Sequence, residues 1–570
     1  MLALTLNPGF VPMIAALIVL AAPRGLSAPA IAGSALLALW LLLDYKFGAA
    51  AAMAQMGLPV VLLDLDALNR SFGIALLIAL IVIGMYSGAR RNRFEDAAIL
   101  LLAGGAVSAL FLGDLVSFVA AAALAGLAAA WVVFASPVEG ANRAGVRLLM
   151  WHGLEGLLFL VGVAFHLSAG VQSAVIGRLD LGTFGGAFIF AALMIRVGAP
   201  LAHVWLKDAV SHASPVGAAA LSAFSGVLGV YALARFFPGV PLLIPIGALM
   251  IVLGAFFASA EDDLRRAAAY GLTAQTGVSV ALIGVGSPLA LAGAEGNAFA
   301  AIFAFMTLQM ALGNAHQHLG HARVSGFEGL ARAMPITVVL VFVGGLAVAS
   351  APGLALFAAH TVALEATAQW DLRALWALIA AGSAVLFVGL TLRPIVAAYR
   401  TSPAKARGPI ARVSEAPFSM LLGTVLAAFF CLAIGLAPRW LYDLMPTELS
   451  FQPYAPDRLA QQFEVLGASG VIYFILRAAR APKEQPVRLL DIDALYRGPL
   501  AGAGRWLGVV MLRVYGAGRD AIGGLSARVG AKIGALIGSF DRPYGGRGAS
   551  LAHWLTVSFV LALMLLAQHL

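Results

Sequence analysis

The chain has 570 residues, of which 61% are hydrophobic and only 11% charged, with a mean hydropathy of +0.94. A water-soluble protein of this length does not have such a composition, whereas a polytopic membrane protein does. The net charge of +9 does not point to nucleic acid, because the basic residues fall in short stretches between apolar runs, where they set topology.

By the roughly 20-residue rule the sequence holds about sixteen membrane spans. They start near residues 8, 28, 70, 96, 115, 149, 182, 212, 240, 267, 292, 334, 374, 417, 463 and 552. Residues 8–22 read as a retained span: no basic region precedes the apolar run, and Arg24 follows it. Abundant Gly and Ala suit close helix packing in lipid. The single cysteine, Cys431, sits in an apolar run, which leaves no disulfide framework and no thiolate metal cluster.

Loop charge alternates along the chain. Arg90, Arg91 and Arg93 follow span 3; Arg143 and Arg147 follow span 5; Arg265 and Arg266 follow span 9. Arg323 and Arg332 follow span 11; Arg400, Lys405, Arg407 and Arg412 follow span 13; Arg477, Arg480, Lys483 and Arg488 follow span 15. The even-numbered loops are poor in Lys and Arg. The odd-numbered loops are therefore expected on the cytoplasmic side and both termini on the outer face. The Ala- and Arg-rich composition goes with a GC-rich bacterial genome, and so with a bacterial inner membrane.

Two spans carry breaks. From Met194 to Phe236 the chain holds Arg196, Pro200, His203, Lys207, Asp208 and His212 amid apolar segments. Pro200 removes a backbone donor, and ionisable groups at membrane depth usually mark ion or proton paths. Span 12 is also interrupted: 334–350, then Pro352-Gly353, then 354–368. The breaks lie five spans apart, the pointer to an inverted-repeat transporter, because an odd number of spans inverts the second half. Residues 484–550 mix Arg and Lys with apolar residues every few positions. They read either as a basic amphipathic helix at the cytoplasmic interface or as a helix packed on a neighbouring protein of a complex. The expected divisions are 1–95, 96–236, 240–398, 417–480, the amphipathic segment 481–550 and a last span 551–570.

The stretch Arg196-Val197-Gly198, His203-Val204-Trp205-Leu206, Asp208-Ala209, Ser225-Gly226 and Tyr231-Ala232-Leu233-Ala234-Arg235 carries a family pattern without a gap. So do Gly113-Asp114-Leu115, Asp263-Leu264-Arg265-Arg266 with Ala269-Tyr270 and Gln275-x-Gly277, Gly326 to Met334-Pro335, and Pro352-Gly353. In this order the motifs resemble the proton-translocating antiporter-like family: large membrane subunits of respiratory complex I, Mrp-type antiporters and membrane-bound hydrogenases. The resemblance covers roughly residues 60 to 440. It implies an all-α polytopic membrane protein, with a fourteen-helix core, two inverted five-helix repeats, broken helices 7 and 12, and a proton path along buried charges. Here the core would carry extra C-terminal spans and a lateral amphipathic segment.

The chain departs from the family where the family is charged. The fifth-helix glutamate falls on Ala123, the seventh-helix lysine on Arg196 and the eighth-helix lysine on Val227. The eleventh-helix sites fall near Ala301 and Phe305, and the twelfth-helix lysine near His360. Arginine holds its proton, with a pKa above about 12, so Arg196 binds anions rather than relaying protons. Val, Ala and Phe relay nothing.

Glu155 and His152 share one face of span 6 at i and i+3. Glu155 stands where the family has a small residue, and it either pairs with Arg196 or contacts a neighbouring protein of the complex. The remaining candidates for an ion pathway are His203, Lys207, Asp208, His212, His360 and Glu365. For His203 the alternative is a hydrogen bond to freed backbone. For Lys207, Asp208 and His212 it is a solvated helix end. His360 is the best titratable candidate left, because histidine as a residue type changes charge near neutral pH. Glu295 marks the start of span 11 or an interface, Asp114 a helix end, and His316, His318 and His321 a cytoplasmic loop with poor metal spacing.

No nucleotide loop, haem site or catalytic triad occurs, so no cofactor and no metal are expected. The chain reads as a transport subunit rather than a catalyst, with membership of a redox-driven translocase open. Three functions fit: a proton- or cation-translocating subunit, a non-conducting scaffold, or a membrane component of an ion-coupled solute or inorganic-carbon uptake complex. The expected partners are other membrane subunits, lipid and a cytoplasmic soluble module.

Overall fold

A computed structural model describes residues 6–479 apart from 22, 49, 56–57, 90–91, 169, 171–174, 401–413 and 448, and also residues 491, 502, 506, 509 and 510. Arg90, Arg91, Lys405, Arg407, Arg412, Arg480, Lys483 and Arg488, the last span and nearly all of segment 481–550 lie outside the described residues. The chain divides into two compact units, Met1–Val487 with Leu566–Leu570, and Arg488–Leu565. In the second unit, Gly502, Trp506, Val509 and Val510 are helical. The helices and strands that follow all belong to the first.

Helices α1 (Phe10–Ala21) and α2 (Ser27–Asp44) are followed by a two-stranded antiparallel hairpin, β1 (Ala50–Gln55) and β2 (Leu58–Asp64). The hairpin was not expected from the sequence, because its strands are short and apolar like the spans around them. Next come α3 (Ala67–Tyr86), α4 (Arg93–Phe111), α5 (Leu115–Phe134) and α6 (Ala141–Ser168). Span 7 is α7 (Phe184–Arg196) and α8 (Val204–His212); span 8 is α9 (Pro215–Phe224) and α10 (Val227–Phe236). The second half has α11 (Leu243–Ala260), α12 (Leu264–Val285), α13 (Pro288–Leu319) and the short α14 (Leu330–Ala333). Span 12 is α15 (Pro335–Val348) and α16 (Ala355–Gln369). Span 13 is α17 (Arg373–Leu386), a π-turn at Phe387–Leu392 and α18 (Arg393–Tyr399). Then follow α19 (Phe418–Leu436), the short α20 (Pro438–Tyr442) and α21 (Pro456–Ala479).

Twelve helices among the described residues are long and apolar enough to cross a bilayer. The first helix and the two broken spans supply shorter apolar helices, Phe10–Ala21, Phe184–Arg196 and Pro335–Val348, so the first fifteen expected spans are accounted for. Local chemistry sets the starts. Asp114, Thr183, Ser214, Asp263 and Ser287 each accept a hydrogen bond from the first turn of the helix they precede. Asp114, read as a helix-end residue, also accepts from Val61 N at 2.9 Å and so ties the hairpin to α5.

Several boundaries differ from the sequence reading. Span 6 starts at Ala141 rather than near 149, so Arg143 and Arg147 lie on the helix and not in a loop. Span 10 starts at Leu264 because Asp263 caps it, so Arg265 and Arg266 sit in its first turn, with Arg265 1% exposed. His316 and His318 occupy the last turn of α13, and only His321 of that cluster is in the following loop.

The two halves repeat in detail. Asp114 before α5 bridges Val175 after α6; Asp263 before α12 bridges Arg323 after α13. Ile176 N donates to Gly113 O, and Val324 N donates to Asp262 O, each at 2.9 Å. Each half then breaks its next span with a left-handed non-glycine residue, Leu201 (φ 80°) and Ser350 (φ 56°). Such backbone is strained and persists only where surrounding structure imposes it. At the centre, α13 is buried nearly all round and packs on α3, α9, α12, α15, α16 and α19.

Candidate functional site

Helix α7 ends at Arg196, and the chain runs through Val197–His203 before α8 begins. Trp205 Nε1 donates to Ile195 O at 2.9 Å, answering a carbonyl at the break. Arg196 Nε donates to Glu155 Oε1 at 2.6 Å, and Nη2 donates to Ala122 O at 2.7 Å. Glu155 Oε2 lies 2.7 Å from His152 Nδ1, and the imidazole packs on Trp205 with centroids 5.3 Å apart. Arg196 is 2% exposed, Glu155 1% and His152 5%. The Glu155–Arg196 contact is therefore present, and His152 extends it to a third member.

Two glycines make room for this row. A Cβ on Gly126 would lie 2.9 Å from His152 Cβ, and one on Gly229 would lie 2.8 Å from Arg196 Cγ. Where the family resemblance puts a fifth-helix carboxylate, α5 offers only the Ala122 carbonyl, and Glu155 brings the negative charge from α6 instead. A buried charge without a partner is far more costly than a pair, so the two are interdependent.

Lys207 and Asp208 are each 7% exposed, which corrects the reading of a solvated helix end. Helix α8 lies between α6 and α12, and the early start of α6 carries Arg147 alongside it. Arg147 clasps Asp208 with both arms, Nε to Oδ2 at 2.5 Å and Nη2 to Oδ1 at 2.9 Å. His212, less buried, has Nδ1 2.8 Å from Asp208 O. Lys207 Nζ sits 5.3 Å from the Tyr270 ring centroid, a cation–π contact reaching into the second half. His203, at the start of α8, is 2% exposed, stacks on Phe257 and packs at a tilt against Tyr270.

The structure keeps the other two candidates in the second half. His360 on α16 is 2% exposed, and its Nε2 has no partner among the described residues. Glu365, a turn further on, is more open and accepts from Arg458 Nη2 of α21 at 3.1 Å. Val227, Ala301 and Phe305 are buried.

Among the buried ionisable groups that sequence reasoning missed or misplaced are Glu295 and Arg265. Glu295 is neither at a span start nor interfacial: Ser287 and Pro288 begin α13 earlier, and Glu295 lies two turns inside, 4% exposed, hydrogen-bonded to Ser71 Oγ of α3. Arg265 Nη2 donates to Val210 O (2.7 Å), Ala213 O (2.6 Å) and Ser214 O (3.2 Å). It thus caps α8 from the other half, as a cation favours a helix C-terminus. Arg265 belongs to a quoted motif, but its partners, some fifty residues away, leave no local signal.

A membrane protein with two like halves, each with a span broken beside buried ionisable residues, defines the class of antiporter-like membrane subunits. The family model described as NADH:quinone oxidoreductase/Mrp antiporter, transmembrane, matches residues 113–386. The chain is 28% identical over 346 residues to an NAD(P)H-quinone oxidoreductase chain 4 of Synechococcus elongatus, covering 54% of this chain and 62% of the relative. It is 30% identical over 235 residues to a probable K(+)/H(+) antiporter protein of Rhizobium meliloti, covering 37% of this chain and 23% of the relative. The chain thus spans less than two thirds of the length of these curated relatives. The fold matches a chain of the Mrp complex from Dietzia with a TM-score of 0.71 at 23% identity, over 93% of this chain and 61% of that one. It matches a chain of respiratory complex I from Thermus thermophilus with a TM-score of 0.67 at 20% identity, over 81% and 100%.

Proposed function

We propose that the chain is a membrane subunit of a multi-subunit proton- or cation-translocating complex, with a charged axis rebuilt around Arg196. The observation that carries the reading is the buried row His152–Glu155–Arg196 at the break of span 7. Three ionisable groups at membrane depth are expensive to keep and are the usual mark of a proton or ion path. Arg196 holds a fixed positive charge, so His152 and Glu155 are the members able to exchange a proton. Lys207, Asp208 and His212 form the cytoplasmic mouth, with His203 between them and the break. His360 and Glu365 serve the second half. The Ala- and Arg-rich composition favours a bacterial inner membrane and the charge pattern of the loops favours both termini outside, and other membrane subunits of such a complex are the expected partners.

The scaffold reading has one observation in its favour: the positions matching family relay residues are the buried, apolar Val227, Ala301 and Phe305. Proton and sodium flux into vesicles containing the intact complex separates the two. Glu155→Gln and His360→Ala are expected to lower flux while the complex keeps its mass. Unchanged flux, or flux lost only with disassembly, would establish the scaffold instead.

A further inference from the structure

Glu295 takes no part in the row at Arg196. It lies two turns inside α13, 4% exposed, and Ser71, which it meets on α3, is 1% exposed. Asn297 projects about 200° round the helix from Glu295. Asn297 Nδ2 donates to Gln275 O of α12 at 2.8 Å, so Glu295 points away from α12, towards a helix ahead of both repeated halves. Ala301, where the resemblance places a charged side chain, projects about 240° from Glu295. This carboxyl therefore stands apart from the positions that the resemblance marks.

The hydrogens of its contact can be counted. A serine hydroxyl has one hydrogen to give and two lone pairs to receive. Ser71 Oγ lies 2.8 Å from Leu68 O, a carbonyl, which can only accept. With its hydrogen given there, Ser71 Oγ meets Glu295 Oε1 as an acceptor. An ionised carboxylate has no hydrogen to donate, whereas the neutral acid has one. Ser214 and Glu95 make the same kind of pair with the opposite count. Ser214 Oγ accepts from Gly217 N at 3.0 Å, which leaves its hydrogen for Glu95 Oε1, and an ionised Glu95 completes that contact.

No cation offsets a charge on Glu295. Among the described residues Ser71 is its hydrogen-bond partner, and no Lys, Arg or His pairs with it. The titratable groups on neighbouring elements are engaged elsewhere or uncharged. Asp66 caps α3 and binds Arg235 of α10, which also reaches Asp64. Tyr231 Oη of α10 donates to Leu110 O at 2.9 Å, and Cys431 of α19 lies 3.6 Å from Thr307 Oγ1. His360 stands on α16 and forms no ion pair with Glu295 among the described residues. Burying an ionised carboxylate without a partner costs far more than burying the neutral acid.

We propose that Glu295 is a proton-binding site in its own right, present as the neutral acid at neutral pH and donating its hydrogen to Ser71 Oγ. It lies near the start of α3, the end that the loop charges put at the outer face. One consequence rests on the proposed function: the translocating chain would keep a proton near that face, outside the row at Arg196.

Infrared spectroscopy of the full-length chain, purified in a maltoside detergent that carries no ester carbonyl, tests the site. At about pH 7.5 ordinary carboxyls are ionised, and the carbonyl stretch of a neutral acid stands apart from theirs. Glu295→Gln is expected to remove one acid band, and Glu95→Gln to leave it in place. Ser71→Ala should shift the band, because it takes away the acceptor. An acid region unchanged by Glu295→Gln, or a band lost with Glu95→Gln instead, would overturn the site. Should Glu295→Gln fail to fold, Ser71→Ala decides: a shifted band supports the site and an unmoved one overturns it. No ion gradient enters the measurement, so a chain that moves no protons would still show the band. Failure of the site and failure of the transport reading are therefore separable.

Discussion

Arg196 is the residue on which the first half turns. Its guanidinium is bound on one side by Glu155 and on the other by a bare carbonyl of α5. Breaking such a buried pair from one side leaves the other charge uncompensated, at a cost of about 3–5 kcal/mol. Glu155→Ala should therefore lower the melting temperature of the detergent-solubilised protein sharply, and a stability equal to wild type would refute the interdependence. Arg196→Lys keeps the charge but loses the fork that reaches Glu155 and Ala122 together, so a partial loss is expected, smaller than that of Glu155→Ala. His321 provides a pH test outside the spans. Burial and Arg323 push its pKa below the ordinary histidine value, against the opposing pull of Asp263 and Asp262. The unfolded chain then binds the proton first as pH falls, so this contribution is complete above about pH 6.5 and is lost between there and the folded pKa. Thermal unfolding followed from about pH 7.5 to about pH 5.5 should show a steeper loss for wild type than for His321→Asn.

The breaks of spans 7 and 12 are each closed by an aromatic side chain, from the same span in the first case and from beyond α19 in the second. In span 7, Trp205 Nε1 answers Ile195 O. In span 12, Gly353 N donates to Tyr454 Oη at 3.1 Å, and that hydroxyl donates to Gly435 O at 2.5 Å, fastening the break to the end of α19. Tyr454→Phe removes both bonds and leaves two backbone groups to find other partners, a loss of about 1–3 kcal/mol. The fall in melting temperature would report it, and the local loosening should appear as faster amide exchange at Gly353. Equal exchange in the two proteins would show that the break holds itself. The capping aspartates work at the same scale. Asp114 and Asp263 start equivalent helices, and each is tied by a short bridge to the loop two helices on, so the repeat is held by identical local chemistry in both halves.

At the scale of the whole molecule, polar contacts reinforce the helix packing between the two halves. Arg265, from the first turn of α12, caps the last turn of α8. Lys207 reaches from α8 to Tyr270 of α12. Arg265→Met should leave three carbonyls of the other half without their donor, and about 3 kcal/mol of stability should be lost. The same change should weaken the setting of Asp208, since Arg265 and Arg147 hold the two sides of α8. Unfolding of this variant in urea by two separate transitions would show that Arg265 couples the halves; one unchanged transition would show that it does not.

Composition and run length alone determined that the chain lies in a membrane and about how many times it crosses, because apolar length against bilayer thickness is a local property. The two breaks were legible for the same reason: proline and glycine act where they stand. The approach of Glu155 to Arg196 could be inferred because a buried charge needs a partner and few were available. The hairpin, the burial of Lys207 and Asp208, the reach of Arg147 and Arg265, and the place of Glu295 inside α13 could not be read. Each depends on which helices become neighbours across fifty or more residues. In a chain where nearly every face is apolar, periodicity does not say which face meets which. Tertiary packing alone decided that.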